Sequence, residues 1–399
     1  ALLVVPAATA RLLVDRVRPW QAATVALAAL EGTFGLWLSV QTDAPPGATI
    51  AVVAGAVFAL VAVARWLGAR RGAALAAAGA AVVIAGCGSG AGGSGDGVAV
   101  VASTPVVADI VREVGGEHVD VTQLLEANSD PHDYEPRPSD VADAAEAQVV
   151  VESGLGLDEW VHEVVEQSGG DATVVDLGAS VAEPLHAGEE EAHAEDEHAA
   201  EEEGDEHAHD HGDTDPHWWH DPTNAVAAAS AVADALAEAD PDHADAYRAN
   251  AEAYTAELEE ADAAIERCVA SVPEAQRVLV TDHDALGYFA HRYGVEVVGA
   301  IIPSLTTQAQ ASAGDLAELV ETIRERDVPA VFPASSVNRR LADTVAEQTG
   351  ATVGEPLYAD TLGPEGSDGA TLLGATRHNA EAIVSGLTGG RERCGAAGA

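Results

Sequence analysis

Four short segments carry the side chains that could do chemistry. His132 lies in Asp130-Pro-His-Asp-Tyr-Glu-Pro136 and His217 in Asp215-Pro-His-Trp-Trp-His-Asp-Pro222. His283 lies in Thr281-Asp-His-Asp-Ala-Leu286, and Asp360 in Leu357-Tyr-Ala-Asp-Thr-Leu-Gly363. Imidazole nitrogens and carboxylate oxygens ligate divalent metals, and three imidazoles with one carboxylate suit tetrahedral Zn2+. Manganese prefers a set richer in oxygen. Four protein ligands would close the shell, whereas a catalytic zinc usually keeps one position open for water. The sequence has no HExxH helix and no nucleophile elbow, so these residues predict capture of a cation and no enzyme activity. Taken singly each segment has a plainer reading: a histidine satisfied or at the surface, an aspartate capping a turn. The neighbouring Asp130, Asp282 and Asp284 are candidate partners for the imidazoles.

A second concentration of histidine lies between His186 and His211. It includes His193, His198, His207, His209 and His211 within a run of acids. With no apolar periodicity, the stretch predicts a disordered loop. Its composition predicts a low-affinity zinc collector beside the site; the alternative is a solvated acidic loop with incidental histidines.

The elements that would position the four segments alternate in type. Short β-branched runs fall at 98–103, 119–125, 149–151, 173–177, 277–281, 295–301 and 329–332, and a last run ends near Tyr358. Amphipathic stretches separate them, which argues parallel sheets with helices on both faces. Ligands in such folds sit beyond the carboxyl ends of the strands, where all four segments fall. Between the two sets of strands, residues 242–269 carry apolar and alanine residues at helical spacing, long enough to span roughly 42 Å. The expected fold is α/β: two lobes joined by this long helix, with the metal in the cleft between them. His132 and His217 come from the first lobe, His283 and Asp360 from the second. The expected divisions are a lobe over 98–240 with the histidine- and acid-rich loop at 186–216, a linking helix over 241–272, and a second lobe over 273–399.

The first 97 residues read differently. Trp20 to Val40 and Ala48 to Ala64 are apolar and long enough for two transmembrane helices, with a turn between them; a buried core hairpin is the alternative. Arginines 11, 16 and 18 precede the first span, and 65, 70 and 71 follow the second. The positive-inside rule places both clusters in the cytoplasm. Residues 67–87 then resemble a lipoprotein signal, with small residues directly before Cys87, the expected lipid anchor. The glycine- and serine-rich stretch 88–97 reads as a tether. The chain has a formal net charge of −47, and its excess of acid lies entirely beyond residue 87. Such a surface repels a phosphate backbone, so nucleic acid is excluded as a partner. The soluble part is expected outside the cytoplasm, where Cys268 and Cys394 could pair; two free buried thiols are the alternative.

The four segments, in this order and spacing, resemble the metal-binding family of ABC-transporter substrate-binding proteins, the zinc and manganese group, over residues 98–390. The resemblance implies two α/β lobes bridged by a rigid helix. It carries the family's metal ligands onto His132, His217, His283 and Asp360. In the manganese binders of this family the third position is a carboxylate, so His283 implies zinc. The implied function is extracytoplasmic Zn2+ capture and delivery to an ABC permease and its ATPase at the cell membrane. The alternatives are a manganese or other divalent-metal binder, or a metal-dependent surface adhesin. One departure is His220, where the family more often has an apolar residue; an exposed side chain is expected there rather than a spare ligand. Residues 1–65, through LLVVPAATARLL and GLWLSVQTDAPPGATI, resemble the final two spans of the cognate permease. Residues 1–66 are therefore expected to be a permease-like fragment, from a gene fusion or a merged reading frame.

Overall fold

The computed structural model describes residues 4–14, 16–70, 97–186 and 214–394. Residues 71–87 of the signal-like segment, with Cys87, lie outside the described residues, as do most of the tether and the histidines at 193, 198, 207, 209 and 211. The chain forms two compact units.

The N-terminal unit contains three mutually packed helices: α1 (Val4–Leu13), α2 (Val17–Thr42) and α3 (Pro46–Arg70). Sequence patterning had suggested the last two, and both are long and apolar enough to cross a membrane. The first is too short to show a span-like run. The packing is inside out relative to a water-soluble bundle. Glu31, Gly35 and Ser39, one helical turn apart, form the buried face of α2, while Val25, Leu30, Trp37, Val52, Leu60 and Trp66 are exposed. Small residues let membrane helices approach closely: a Cβ on Gly35 would sit 2.6 Å from Ile50 of α3. Asp43 ends α2 in the left-handed region at φ 47°, and the Ser39 hydroxyl donates to the Ala44 carbonyl (2.6 Å), closing the turn into α3.

The second unit holds two parallel sheets. In the first lobe, β1 (Val98–Ala102), β2 (Val119–Gln123), β3 (Val149–Glu152) and β4 (Thr173–Asp176) lie in the order β2-β1-β3-β4. Helices α4 (Pro105–Gly115), α5 (Pro138–Glu146, divided after residue 142 between the two units) and α6 (Trp160–Ser168) intervene, and α7 (Pro222–Ala239) packs on α4. The second lobe repeats this pattern with β5 (Val278–His283), β6 (Glu296–Ile302), β7 (Ala330–Val331) and β8 (Thr352–Val353), with α9 (Gly287–Tyr293) between β5 and β6 and α10 (Ala313–Glu325) between β6 and β7. Strand β5 pairs with β6 on one side and meets β7 on the other, through a parallel bridge from Thr281 to Phe332, and β7 pairs with β8. The order β6-β5-β7-β8 is therefore the first lobe's order again. In each lobe the chain reverses direction along the sheet beside its first strand, the place where α/β sheets leave a crevice.

Strand and helix limits differ from the sequence pattern where a side chain is needed elsewhere. Helix α6 starts at Trp160 rather than Asp158 because the Asp158 carboxylate accepts the N–H groups of Ser153 (2.7 Å) and Gly154 (2.9 Å). Helix α11 (Arg340–Thr349) starts three residues later than the pattern suggests, since Ser336 and Asn338 lie in a turn where their side chains make other bonds.

The expected linking helix is present, and a second helix accompanies it. Helix α8 (Ala244–Val269) buries Tyr247, Ala251, Tyr254, Leu258, Ala261, Ile265 and Cys268, a stripe spaced four and three residues apart. Its first half packs in the first core and its last turns in the second. Its 26 residues span about 39 Å at about 1.5 Å each. Helix α12 (Leu372–Thr388) does the same: Leu372 and Ala375 pack in the first core, and Ala380, Ile383, Val384 and Leu387 in the second. Its first N–H groups are held by Thr371 as N-cap and by Asp109 of α4, whose carboxylate accepts from Leu372 at 2.8 Å. Two packed helices therefore bridge the lobes.

Cys268 and Cys394 form a disulfide that closes a loop with a sequence separation of 126. It ties the C-terminal segment to the end of α8. Loop entropy predicts that reduction, or Cys394→Ser, removes about 4–5 kcal/mol of stability. Denaturant titration with and without reductant measures this difference, and equal midpoints would refute it.

Candidate metal centre

The structure brings His132, His217, His283 and Asp360 together, with one ligand atom from each within 4.8 Å of all the others. His132 Nε2 is 3.3 Å from His217 Nε2. Asp360 Oδ1 lies 2.9 Å from His283 Nε2, 3.5 Å from His217 Nε2 and 3.7 Å from His132 Nε2. Four donors around a tetrahedral Zn2+ with bonds near 2.0–2.1 Å stand roughly 3.3 Å apart, so these spacings bracket a zinc shell. His283 Nε2 and Asp360 Oδ1 are both buried and, among the described residues, face no hydrogen-bond partner outside the four-residue cluster itself. Buried polar atoms are almost always paired, and a cation at the centre of the four would satisfy both.

Each ligand arrives from a different element. His132 follows β2 on a one-turn 3-10 helix, His217 immediately precedes another before α7, His283 ends β5, and Asp360 follows the bridge at Leu357. The two first-lobe histidines share a local device. In Asp130-Pro-His132 and Asp215-Pro-His217 the aspartate Oδ1 accepts the histidine backbone N–H, at 3.0 and 2.9 Å. Proline fixes the middle residue, and the aspartate closes the turn.

The outer contacts differ in part from the expectation. Asp282 Oδ2 does face His283 Nδ1 at 3.2 Å, and its other oxygen accepts the Ala334 N–H. The ring partner of His217 is Asp215, 2.7 Å from Nδ1; the sequence reading passed over it, although the repeated Asp-Pro-His was the available signal. Asp130 holds the His132 backbone instead of its ring, and Asp284 makes no hydrogen bond to a ligand ring among the described residues. Ser336 Oγ donates to Asp360 Oδ2 at 3.0 Å, leaving Oδ1 aimed at the imidazoles. His220 is buried, not exposed as expected. Its Nε2–H donates to the Ala359 carbonyl at 2.8 Å, which also accepts from Trp219 Nε1 at 3.2 Å. His220 thus steadies the residue before Asp360 from outside the ligand set. Burial and the nearby His217 push its imidazole down to about 4, which keeps it neutral.

Burial by itself would lower the His217 and His283 imidazoles. The carboxylates facing them outweigh it, and both are raised, His283 well above the ordinary value. Burial would raise the Asp360 carboxyl, but the facing imidazoles, His283 foremost, hold it well below the carboxylate range. The pocket is built for added positive charge, whether proton or metal.

Residues 100–386 match the family described as zinc-uptake complex component A, periplasmic. The chain belongs to this family. Its members are solute-binding proteins of metal ABC transporters and are not enzymes. Residues 1–65 match the ABC 3 transport family. The manganese-binding lipoprotein MntA of Halalkalibacterium halodurans is 34% identical over 290 residues, covering 72% of this chain and 88% of that protein. MntA of Bacillus subtilis is 33% identical over 300 residues, with 72% and 89% covered. Among solved structures, the periplasmic zinc-binding protein TroA from Treponema pallidum superposes with a TM-score of 0.63 at 28% identity, covering 72% of this chain and 98% of TroA. The metal-binding substrate-binding fold is therefore shared across residues 100–386, and the two-lobed α/β expectation holds.

Carboxylates on the outer side of metal-bound imidazoles typically account for about 10–100-fold in affinity. Asp215→Asn should weaken divalent-metal binding by about that factor while leaving the fold intact. Competition against a chromogenic chelator measures it, and unchanged affinity would remove Asp215 from the site's support. Because protons and a metal would compete for the Nε2 atoms, divalent-metal affinity should fall as pH drops. The loss should begin above the usual imidazole value of about 6.5, because both rings are raised. Each imidazole proton displaced adds roughly a factor of ten per pH unit. A flat affinity between pH 8 and 6 would contradict this.

Proposed function

We propose that this binding protein captures Zn2+ outside the cytoplasm, with His132, His217, His283 and Asp360 as its four ligands, and hands it to an ABC permease coupled to an ATPase. The observation that carries the reading is the donor set: three imidazole nitrogens and one carboxylate oxygen converging at spacings that suit tetrahedral zinc. Two ligands come from each lobe, so a bound ion draws the lobes together, and the released form opens. That is the behaviour of a carrier that must be recognised when loaded. The likeness of residues 1–65 to a transporter family, and the two apolar helices there, support a location at the cell membrane. Relatives that are lipoproteins support Cys87 as a lipid anchor.

A manganese cargo is the second reading, favoured by the manganese-binding relatives MntA. Against it stands the shortage of oxygen ligands, since Mn2+ prefers carboxylate, carbonyl and water. Calorimetry on the full chain, stripped of metal in detergent, separates the two. The zinc reading expects a tight one-to-one Zn2+ event, abolished by His283→Ala, with Mn2+ at least about a hundredfold weaker. Mn2+ binding as tightly as Zn2+ would decide for manganese. No tight event with either ion would sink both.

A further inference from the structure

The four ligands are not equally enclosed. The side chains of His217, His283 and Asp360 are fully buried, whereas that of His132 keeps 7% of its surface exposed. His132 sits on a one-turn 3-10 helix in the connection after β2, and its partial exposure marks it as the ligand whose movement costs the fold least. Two of the contacts that hold that loop come from the loop after β6 in the opposite lobe, and a third comes from Leu362, which packs in the first core. Asn128 donates its N–H to the Leu362 carbonyl at 3.0 Å. Thr307, in the loop after β6, donates its hydroxyl to Asp130 Oδ2 at 2.6 Å. Gln308 Nε2 donates to the His132 carbonyl. Asp130 is thereby shared, one oxygen on the His132 N–H and the other on Thr307. The Thr307 loop is anchored in turn beside the third ligand: the Asp284 N–H donates to the Ser304 carbonyl at 3.0 Å.

We propose that Thr307, assisted by Gln308, is a positioning residue that latches the His132 loop across the cleft and so sets how fast bound metal leaves. The proposal rests on the metal-carrier reading above. His132 is the exchanging ligand: it swings out first, and the other three keep the ion until the lobes part. Thr307 touches no metal. It acts through Asp130, whose carboxylate fixes the His132 backbone. A hydrogen bond to a charged group that is made only in the closed state slows opening more than it affects encounter. A loaded protein whose latch is intact therefore retains its ion, and anything that draws the loop after β6 away from Asp130 opens the route for release.

The test follows Zn2+ release from the full chain in detergent. The protein is loaded with half an equivalent of Zn2+ and mixed with excess chelator in a stopped-flow instrument. Thr307→Val, which keeps the shape and removes the hydroxyl, should release Zn2+ about tenfold faster, with association changed less than threefold. Thr307→Ser, which restores the donor, should return release to the wild-type rate. A role limited to packing would give the opposite ranking, because valine fills the space better than serine. Gln308→Ala, at an exposed position, should shift release in the same direction by a smaller factor. Release from Thr307→Val within twofold of wild type, or equal rates for the valine and serine variants, overturns the latch. The carrier reading fails separately, if wild type retains no Zn2+ or if His283→Ala retains it equally well.

Discussion

A buried carboxylate faced by three imidazoles is the constraint on which the rest of the second unit depends. Asp360 has no exposure, and among the described residues its Oδ1 faces only the three imidazoles. Placing such a group in the interior is costly without compensating charge. The site accepts that cost locally. Ser336 satisfies one oxygen, Asp215 and Asp282 polarise two of the rings, and His220 with Trp219 clamps the preceding carbonyl. What remains unsatisfied is a single point in space where a cation belongs. The same arrangement binds protons when no metal is present, so acid and metal compete for one cavity.

Holding that point requires ligands from both lobes to meet within a few ångströms, and the scaffold is suited to it. Both lobes use one sheet order, and both present strand ends toward the shared cleft. Two helices, α8 and α12, run through both cores side by side. A pair of packed helices resists twisting more than a single one. Against that paired spine, the hydrogen bonds from Thr307 and Gln308 to Asp130 and His132 join the loop after β6 to the loop after β2. The disulfide adds to the same spine by fastening the last segment to the end of α8.

The N-terminal unit follows the opposite solvent logic. Small and polar residues face inward and large apolar ones outward, as expected where lipid replaces water.

The amino-acid sequence by itself determined much of this. The β-branched runs and the helical stripe of α8 made the lobes legible, because hydrophobic periodicity reports local geometry directly. The candidate ligands were legible too: His132, His217, His283 and Asp360 each fall in a segment distinctive enough to resemble a known family, and the structure brings the four together. Tertiary structure alone decided the residues whose partners are distant. α12 looks like an ordinary amphipathic helix, and nothing local says that its two ends lie in different cores. His220 looked exposed, because its partner, the Ala359 carbonyl, is 139 residues away. Thr307 is an unremarked polar residue until Asp130, 177 residues earlier, is folded against it. Periodicity encodes which face of an element is buried. It does not encode what that face meets, and the support of this site consists almost entirely of such meetings.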